Sequence, residues 1–222
     1  MSLTSDHLER FLKRLQLSDA RHLEELAATS VDPARIASLL TLPPLMLPVT
    51  DPLTGLPNRR GIVGLAEREF RLTLVCSTPL TLILFDVDNM KKINHRFMLA
   101  GGDVVLSQFG GLLVNTLLPN EFVGRFGGDR FLIVASNTPA TQAAALVERV
   151  DAGIKAARFD LKGETIRITV SFGVAVADDG LSYPPAKYEY PEGGVSDELQ
   201  PMIMAVTAKM EEAKRRSRSP QW

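Results

Sequence analysis

The run Thr81-Leu82-Ile83-Leu84-Phe85 sets the tightest limit on the fold. It is apolar without alternation, which reads as a strand buried on both faces and therefore central in a sheet. It ends in Asp86-Val87-Asp88. Carboxylates two residues apart lie on the same face of an extended strand. At the end of a buried strand that pair is costly unless a cation balances it. Lys91 and Lys92 follow within one turn. The plainer reading is a solvated strand end with a local Asp–Lys pair.

A second stretch, Gly124-Arg125-Phe126-Gly127-Gly128-Asp129-Arg130-Phe131-Leu132-Ile133-Val134, reads as strand, tight turn, strand. Glycine accepts the positive φ that primed hairpin turns require, so Gly127-Gly128 marks the turn. Asp129 follows it directly. Glycines there also leave room for a large ligand to approach the backbone. By itself the stretch is equally an ordinary hairpin with a solvated aspartate.

The remaining elements fall into order around these two. Asp51 to Arg60 is punctuated as a turn, and Asn58 is placed to cap a helix over 58–75. Gly102-Asp103 opens an amphipathic helix carrying Val105, Leu106, Phe109, Leu112 and Leu113. An Ala-rich helix covers 139–158, residues 164–177 alternate as a strand, and a helix over 196–216 ends in basic residues. The order β-α-β-β-α-β, then a helix, predicts an α+β fold with the first strand central and helices on one face. Between the last strand and last helix, 178–195 is irregular and holds Tyr183, Tyr188 and Tyr190.

Residues 1–47 read as a separate helical extension, and 48–222 as the main domain. Leu8, Phe11, Leu12 and Leu15 follow the i, i+3, i+4, i+7 spacing of an amphipathic helix. Ser18 and Asp32-Pro33 break the helices into short pieces, and Leu42 to Pro48 reads as a linker. Helices this short need a partner, either the main domain or a second copy of the chain. Net charge is −1, so nothing global points to nucleic acid. A single cysteine, Cys76, excludes an intrachain disulfide and suits a reducing compartment. With no run near the ~20 apolar residues of a membrane span and no visible signal peptide, the expected location is cytoplasmic.

Over about 48–218 the chain resembles the GGDEF family, the diguanylate cyclases. The resemblance rests on ordered motifs: Asp51 to Arg60, Phe85 to Asn94, Gly102 to Leu106, the Gly127-Gly128 hairpin, Ser171 to Ala175, and Ala213-Lys214. It implies a nucleotidyl-cyclase-like, palm-type fold and condensation of two GTP to cyclic di-GMP by a pair of domains. It implies Mg²⁺ or Mn²⁺ at Asp86, at the Val87 carbonyl and at Asp129. It assigns guanine reading to Asn94 and Asp103, and phosphate binding to Lys91, Lys214 and Arg218. A 3′-hydroxyl attacking an α-phosphate needs cations to offset developing charge.

Several positions depart from the family pattern. Arg130 stands where the signature has glutamate, His95 where an aspartate follows the asparagine, and Met98-Leu99 where Gly-His is usual. Leu118 and Glu121 replace the Arg-x-x-Asp of the family's inhibitory product site. A guanidinium is not deprotonated in a protein. At ~4 Å from a divalent cation and an effective dielectric of 20 it is repelled by about 8 kcal/mol, twice the unit-charge figure. Either Arg130 points away, or fewer metal ions bind, or the arginine itself contacts phosphate in place of a metal. The reading is a degenerate GGDEF domain, weak or inactive as a cyclase, with Mg²⁺ or Mn²⁺ at reduced occupancy. It binds a guanine nucleotide and acts as a homodimer or with a partner signalling protein. The alternative is an active diguanylate cyclase that tolerates Arg130 at its catalytic centre beside Asp86 and Asp129.

Overall fold

Strand β1 (Leu80–Val87) is buried along its whole length, as its unbroken apolar run requires. The computed structural model describes residues 49–161, 163–177 and 199–218, together with Arg10, Lys13, Arg14 and Ala20. Around β1 the chain adds α1 (Arg59–Cys76), α2 (Met90–Thr116), β2 (Glu121–Gly127), β3 (Arg130–Ser136) and α3 (Ala140–Ala156). It continues through β4 (Phe159–Leu161), β5 (Glu164–Ile166), β6 (Val170–Ala177) and α4 (Gln200–Arg218). The main sheet has the order β2-β3-β1-β6, with every neighbouring pair antiparallel. The fold is the expected α+β arrangement, with β1 in the interior of the sheet.

Helices cover both faces rather than one. Ile83, Phe85 and Val87 face a core built with Val105, Phe109 and Leu113 of α2 and Leu146, Val150 and Ile154 of α3. Leu80, Leu82 and Leu84 face a second core built with Ile62, Ala66 and Phe70 of α1 and Met202, Val206 and Met210 of α4. A strand with no polar alternation has two apolar faces, and one helical layer leaves one of them in water. By length and composition α2 alone, among the described residues, suffices to cross a membrane. Here it is a core helix, with Phe97, Val105, Leu106, Phe109 and Leu113 buried.

Two element boundaries differ from the sequence reading. Helix α2 starts at Met90, not at Gly102, and is interrupted at Met98, whose φ of 64° and ψ of 176° are not helical. The alternating stretch 164–177 is two strands. Glu164–Ile166 pairs with β4 in a small separate sheet, and β6 begins at Val170. The turn between β4 and β5 passes through Gly163 at φ 85°. As expected, Asn58 caps α1, its side chain accepting a hydrogen bond from the Gly61 N–H at 3.1 Å.

Of the N-terminal stretch, Arg10 and Arg14 reach the main domain of the same chain. Arg14 donates to the carbonyls of Val114 (2.7 Å), Leu117 (3.0 Å) and Glu121 (3.0 Å). Arg10 donates to Asn115 Oδ1 at 2.6 Å. Cations at a helix C-terminus satisfy its orphan carbonyls and oppose its dipole. The Leu8, Phe11, Leu12 and Leu15 stripe, the 42–48 linker and the 178–195 segment lie outside the described residues.

Helix α4 lies so close to β6 that only glycine fits at position 173. A Cβ there would sit 2.2 Å from the Val206 carbonyl oxygen and 2.5 Å from the Met210 nitrogen. Both are backbone atoms, so relief requires moving the helix. Gly173→Ala is expected to lower stability by about 1–3 kcal/mol, in the range of overpacking. Urea unfolding at neutral pH measures it; an unchanged midpoint would refute the close approach.

Candidate functional site

The carboxyl end of β1 carries Asp86, which is fully buried. Its strand neighbours in register are Arg130 on β3 and Ser171 on β6. Arg130 Nε donates to Asp86 Oδ2 at 3.3 Å, and Lys214 Nζ, from α4, bonds the other oxygen, Oδ1. Arg130 also pairs with Glu211 Oε1 at 2.7 Å, one helical turn before Lys214. Burial pushes the Asp86 carboxyl up from its ordinary range, and the charge of Asp129 adds to this. The Lys214 hydrogen bond and the charges of Lys214 and Arg130 pull it back.

Asp88 is met by hydroxyls rather than by a cation. Thr169 Oγ1 and Ser171 Oγ each donate to one of its oxygens at 2.8 Å. Its N–H donates to the Thr169 carbonyl at 2.9 Å, and the Val87 N–H donates to the Asp129 carbonyl at 3.1 Å. A solvated strand end with a local Asp–Lys pair does not describe these two aspartates. Asp86 has two cationic partners, and Asp88 has two neutral donors.

The hairpin turn passes through Gly127 at φ 145° and Gly128 at φ 58°, both positive as expected. Arg125 holds it from outside. Its Nε donates to the Gly128 carbonyl at 3.0 Å, and its Nη1 reaches both oxygens of Asp51 at 3.1 Å. Asp51 in turn accepts from the Thr54 N–H and hydroxyl at 2.9 and 2.8 Å. The Arg125 N–H donates to the Pro57 carbonyl at 2.8 Å. The turn that opens the domain therefore fixes the turn that carries Asp129. Sequence reasoning had not singled out Arg125 or Glu211. Glu211 lies three residues before Lys214, on the same helix face, and that spacing was an available signal.

Asn94, Asp103 and Lys91 all lie on α2. Asn89, before the helix, adopts φ 60°, and its side chain makes no capping bond. Lys91 and Asp103 are exposed. Asn94 Oδ1 is buried without a hydrogen bond. It rests against Gly102, where a Cβ would approach it to 1.9 Å, while a Cβ at Gly101 would meet the Phe97 Cβ at 2.3 Å. The break at Met98 thus folds the first two turns of α2 back against Gly101-Gly102. An orphaned buried carbonyl oxygen is costly unless a donor reaches it. Arg218 ends α4, and Lys214 is drawn to Asp86.

A divalent cation at Asp86 would have to stand beside, or displace, the two cationic side chains already on it. Among the described residues no three His, Cys, Asp or Glu side chains gather to hold one. The buried carboxylate already has a cationic group at each oxygen.

The family model for the diguanylate cyclase GGDEF domain matches residues 49–186. The chain is 38% identical over 126 residues to the diguanylate cyclase DgcP of Pseudomonas aeruginosa, covering 57% of this chain and 19% of that protein. It is 30% identical over 153 residues to the response regulator PleD of Caulobacter vibrioides, covering 68% of this chain and 34% of that protein. The chain thus spans about a third or less of the length of these relatives. Among solved structures, diguanylate cyclase SiaD of Pseudomonas aeruginosa, in complex with its activator SiaC, superposes with a TM-score of 0.66. The identity is 25%, covering 96% of this chain and 78% of that one. The FimX GGDEF domain of the same species gives 0.67 at 22% identity, covering 77% and 96%, a likeness of fold.

Met98 occupies a backbone region that is essentially reserved for glycine, at a position where its side chain is 66% exposed. Strain there costs about 1–3 kcal/mol, against about 0.5–1 kcal/mol of extra chain entropy for glycine. Met98→Gly is therefore expected to stabilise the fold by about 1 kcal/mol. Thermal unfolding measures it, and a lower melting temperature would contradict the strain.

Proposed function

This chain belongs to the diguanylate cyclase GGDEF-domain family, and from that premise we propose that it is a degenerate member. It forms little or no cyclic di-GMP, binds a guanine nucleotide, and acts as a regulatory or interaction module in cyclic di-GMP signalling. The observation that carries this reading is the Arg130 guanidinium on the buried Asp86. The chemistry of the family needs divalent charge beside the attacking oxygen and the phosphate. Asp86 is instead neutralised by side chains.

Guanine is read by Asn94 and Asp103. The unpaired Asn94 oxygen supports this, because the N–H donors of a guanine edge would satisfy it. Lys91 and the uncapped first amides of α2, with Lys214 and Arg218 on α4, take the phosphates. Residues 1–47 form a helical extension to the 48–222 domain, and the protein works in the cytoplasm as a homodimer or with a partner signalling protein. The solved SiaD is in complex with its activator SiaC, which is the kind of arrangement proposed.

The rival reading, a working cyclase, draws on one observation: Asp129 lies close enough to Asp86 for its charge to act there. The full chain with GTP and Mg²⁺ or Mn²⁺, scored for product by chromatography, decides between them. The expected result is little or no cyclic di-GMP, with partial recovery in Arg130→Glu. Turnover like that of an intact cyclase would overturn the proposal. Calorimetry supplies the second arm. GTP is expected to bind more tightly than ATP, because a site built to pair with a polar edge rejects the analogue that leaves it unpaired. Asp103→Ala should remove that preference; equal affinities in the unaltered protein would refute guanine reading.

A further inference from the structure

The guanidinium of Arg130 is only partly committed. Nε meets Asp86 and Nη2 meets Glu211, while Nη1 makes no hydrogen bond among the described residues. The side chain is 35% exposed and Glu211 41%. An ion pair open to water contributes little and is readily exchanged for another anion. A guanidinium fork suits the geometry of a phosphate, to which it binds through paired N–H donors. Asp86, Arg130, Lys214 and Glu211 together carry no net charge, two anions against two cations. The two cations supply at Asp86 the charge that one divalent ion would bring, and they repel such an ion.

We propose that Arg130 binds the polyphosphate of the nucleotide in place of a divalent cation, and that Glu211 holds Arg130 until phosphate displaces it. Binding then needs no metal. This rests on the guanine-nucleotide reading above, but its phosphate part is separable from that reading.

Titration calorimetry of the full chain with a non-hydrolysable GTP analogue tests it, in EDTA and in Mg²⁺. Affinity is expected to agree within about twofold between the two buffers, because no bridging ion is involved. Glu211→Gln should tighten binding by about threefold in both, since an exposed competing carboxylate is removed. Arg130→Gln should weaken it by about tenfold or more, the size of a charge-assisted hydrogen bond. A loss beyond about twofold in EDTA for the unaltered protein, no gain in Glu211→Gln, or no loss in Arg130→Gln would overturn the inference. Should no nucleotide bind in either buffer, the guanine reading falls. Inorganic tripolyphosphate titrated in EDTA then decides the phosphate part alone: binding that is lost in Arg130→Gln upholds it, and no binding overturns it.

Discussion

A carboxylate with no exposure to water, at the end of a strand covered on both faces, has to be neutralised where it stands. Asp86 sets that demand, and three elements meet it. Strand β3 brings Arg130 into register opposite it. Helix α4 brings Lys214 to its other oxygen. Glu211 on the same helix balances the second cation. Removing one member of such a cluster leaves a buried charge without a partner, which costs far more than the cluster contributes to stability. The positions of β3 and α4 relative to β1 are therefore coupled through one side chain. The absence of a side chain at Gly173 makes this possible, because any Cβ there holds α4, and with it Lys214, away from the sheet.

The second support is the clasp between the opening turn of the domain and the hairpin. Asp51 and Arg125 are both largely shielded, with about 16% of each side chain exposed. A pair so placed, with Asp51 also bonded to Thr54 and Arg125 also bonded to Gly128, holds geometry more than it adds stability. Its consequence is local. The turn between Gly127 and Gly128 is built from residues with little conformational preference of their own. Arg125 decides where that turn sits, and so where Asp129 and Arg130 leave it.

What the sequence disclosed follows from how far each signal reaches along the chain. The centrality of β1 was legible because five consecutive β-favouring residues leave no exposed face. The hairpin was legible because a Gly-Gly turn is a local signal. The helical layer on the second face needed the same reasoning carried one step further, since two apolar faces need two covers. The start of α2 was misplaced because Met90 to Phe97 is polar and basic, with its apolar residues too few to show a clear period before the break at Met98. Strands β4 and β5 are three residues each, too short to show alternation. The candidate site was half legible. Asp86, Asp129, Arg130 and Lys214 were named from motif positions, and three of them make direct contact. That Arg130 reaches Asp86 rather than turning away depends on strand register between residues 44 positions apart, which no local pattern encodes.

The opposite end of α2 shows the same chemistry put to a different use. Glu121 is buried, and Arg149 of α3 bonds both of its carboxylate oxygens, while the Leu118 N–H donates to one of them at 2.6 Å. Arg149 also donates to the Thr116 carbonyl at 3.1 Å, and Arg14 covers those of Val114 and Leu117. Two guanidiniums thus close the C-terminus of α2, where orphan carbonyls and the helix dipole both favour positive charge. Position 121 is one that the family resemblance links to product binding; here its carboxylate is engaged within the fold. The two ends of α2 are consequently unequal. The C-terminal end is tied to β2, to α3 and to Arg14, whereas the N-terminal end has no side-chain cap and is joined to the rest through a strained residue at Met98. Displacing the last turns uncovers carbonyls and a buried ion pair, whereas Met90 to Phe97 is held by the burial of Met90 and Phe97 and by the exposed Arg96–Glu164 pair. The first two turns of the helix, which carry Asn94, are therefore anchored by apolar packing rather than by buried charge.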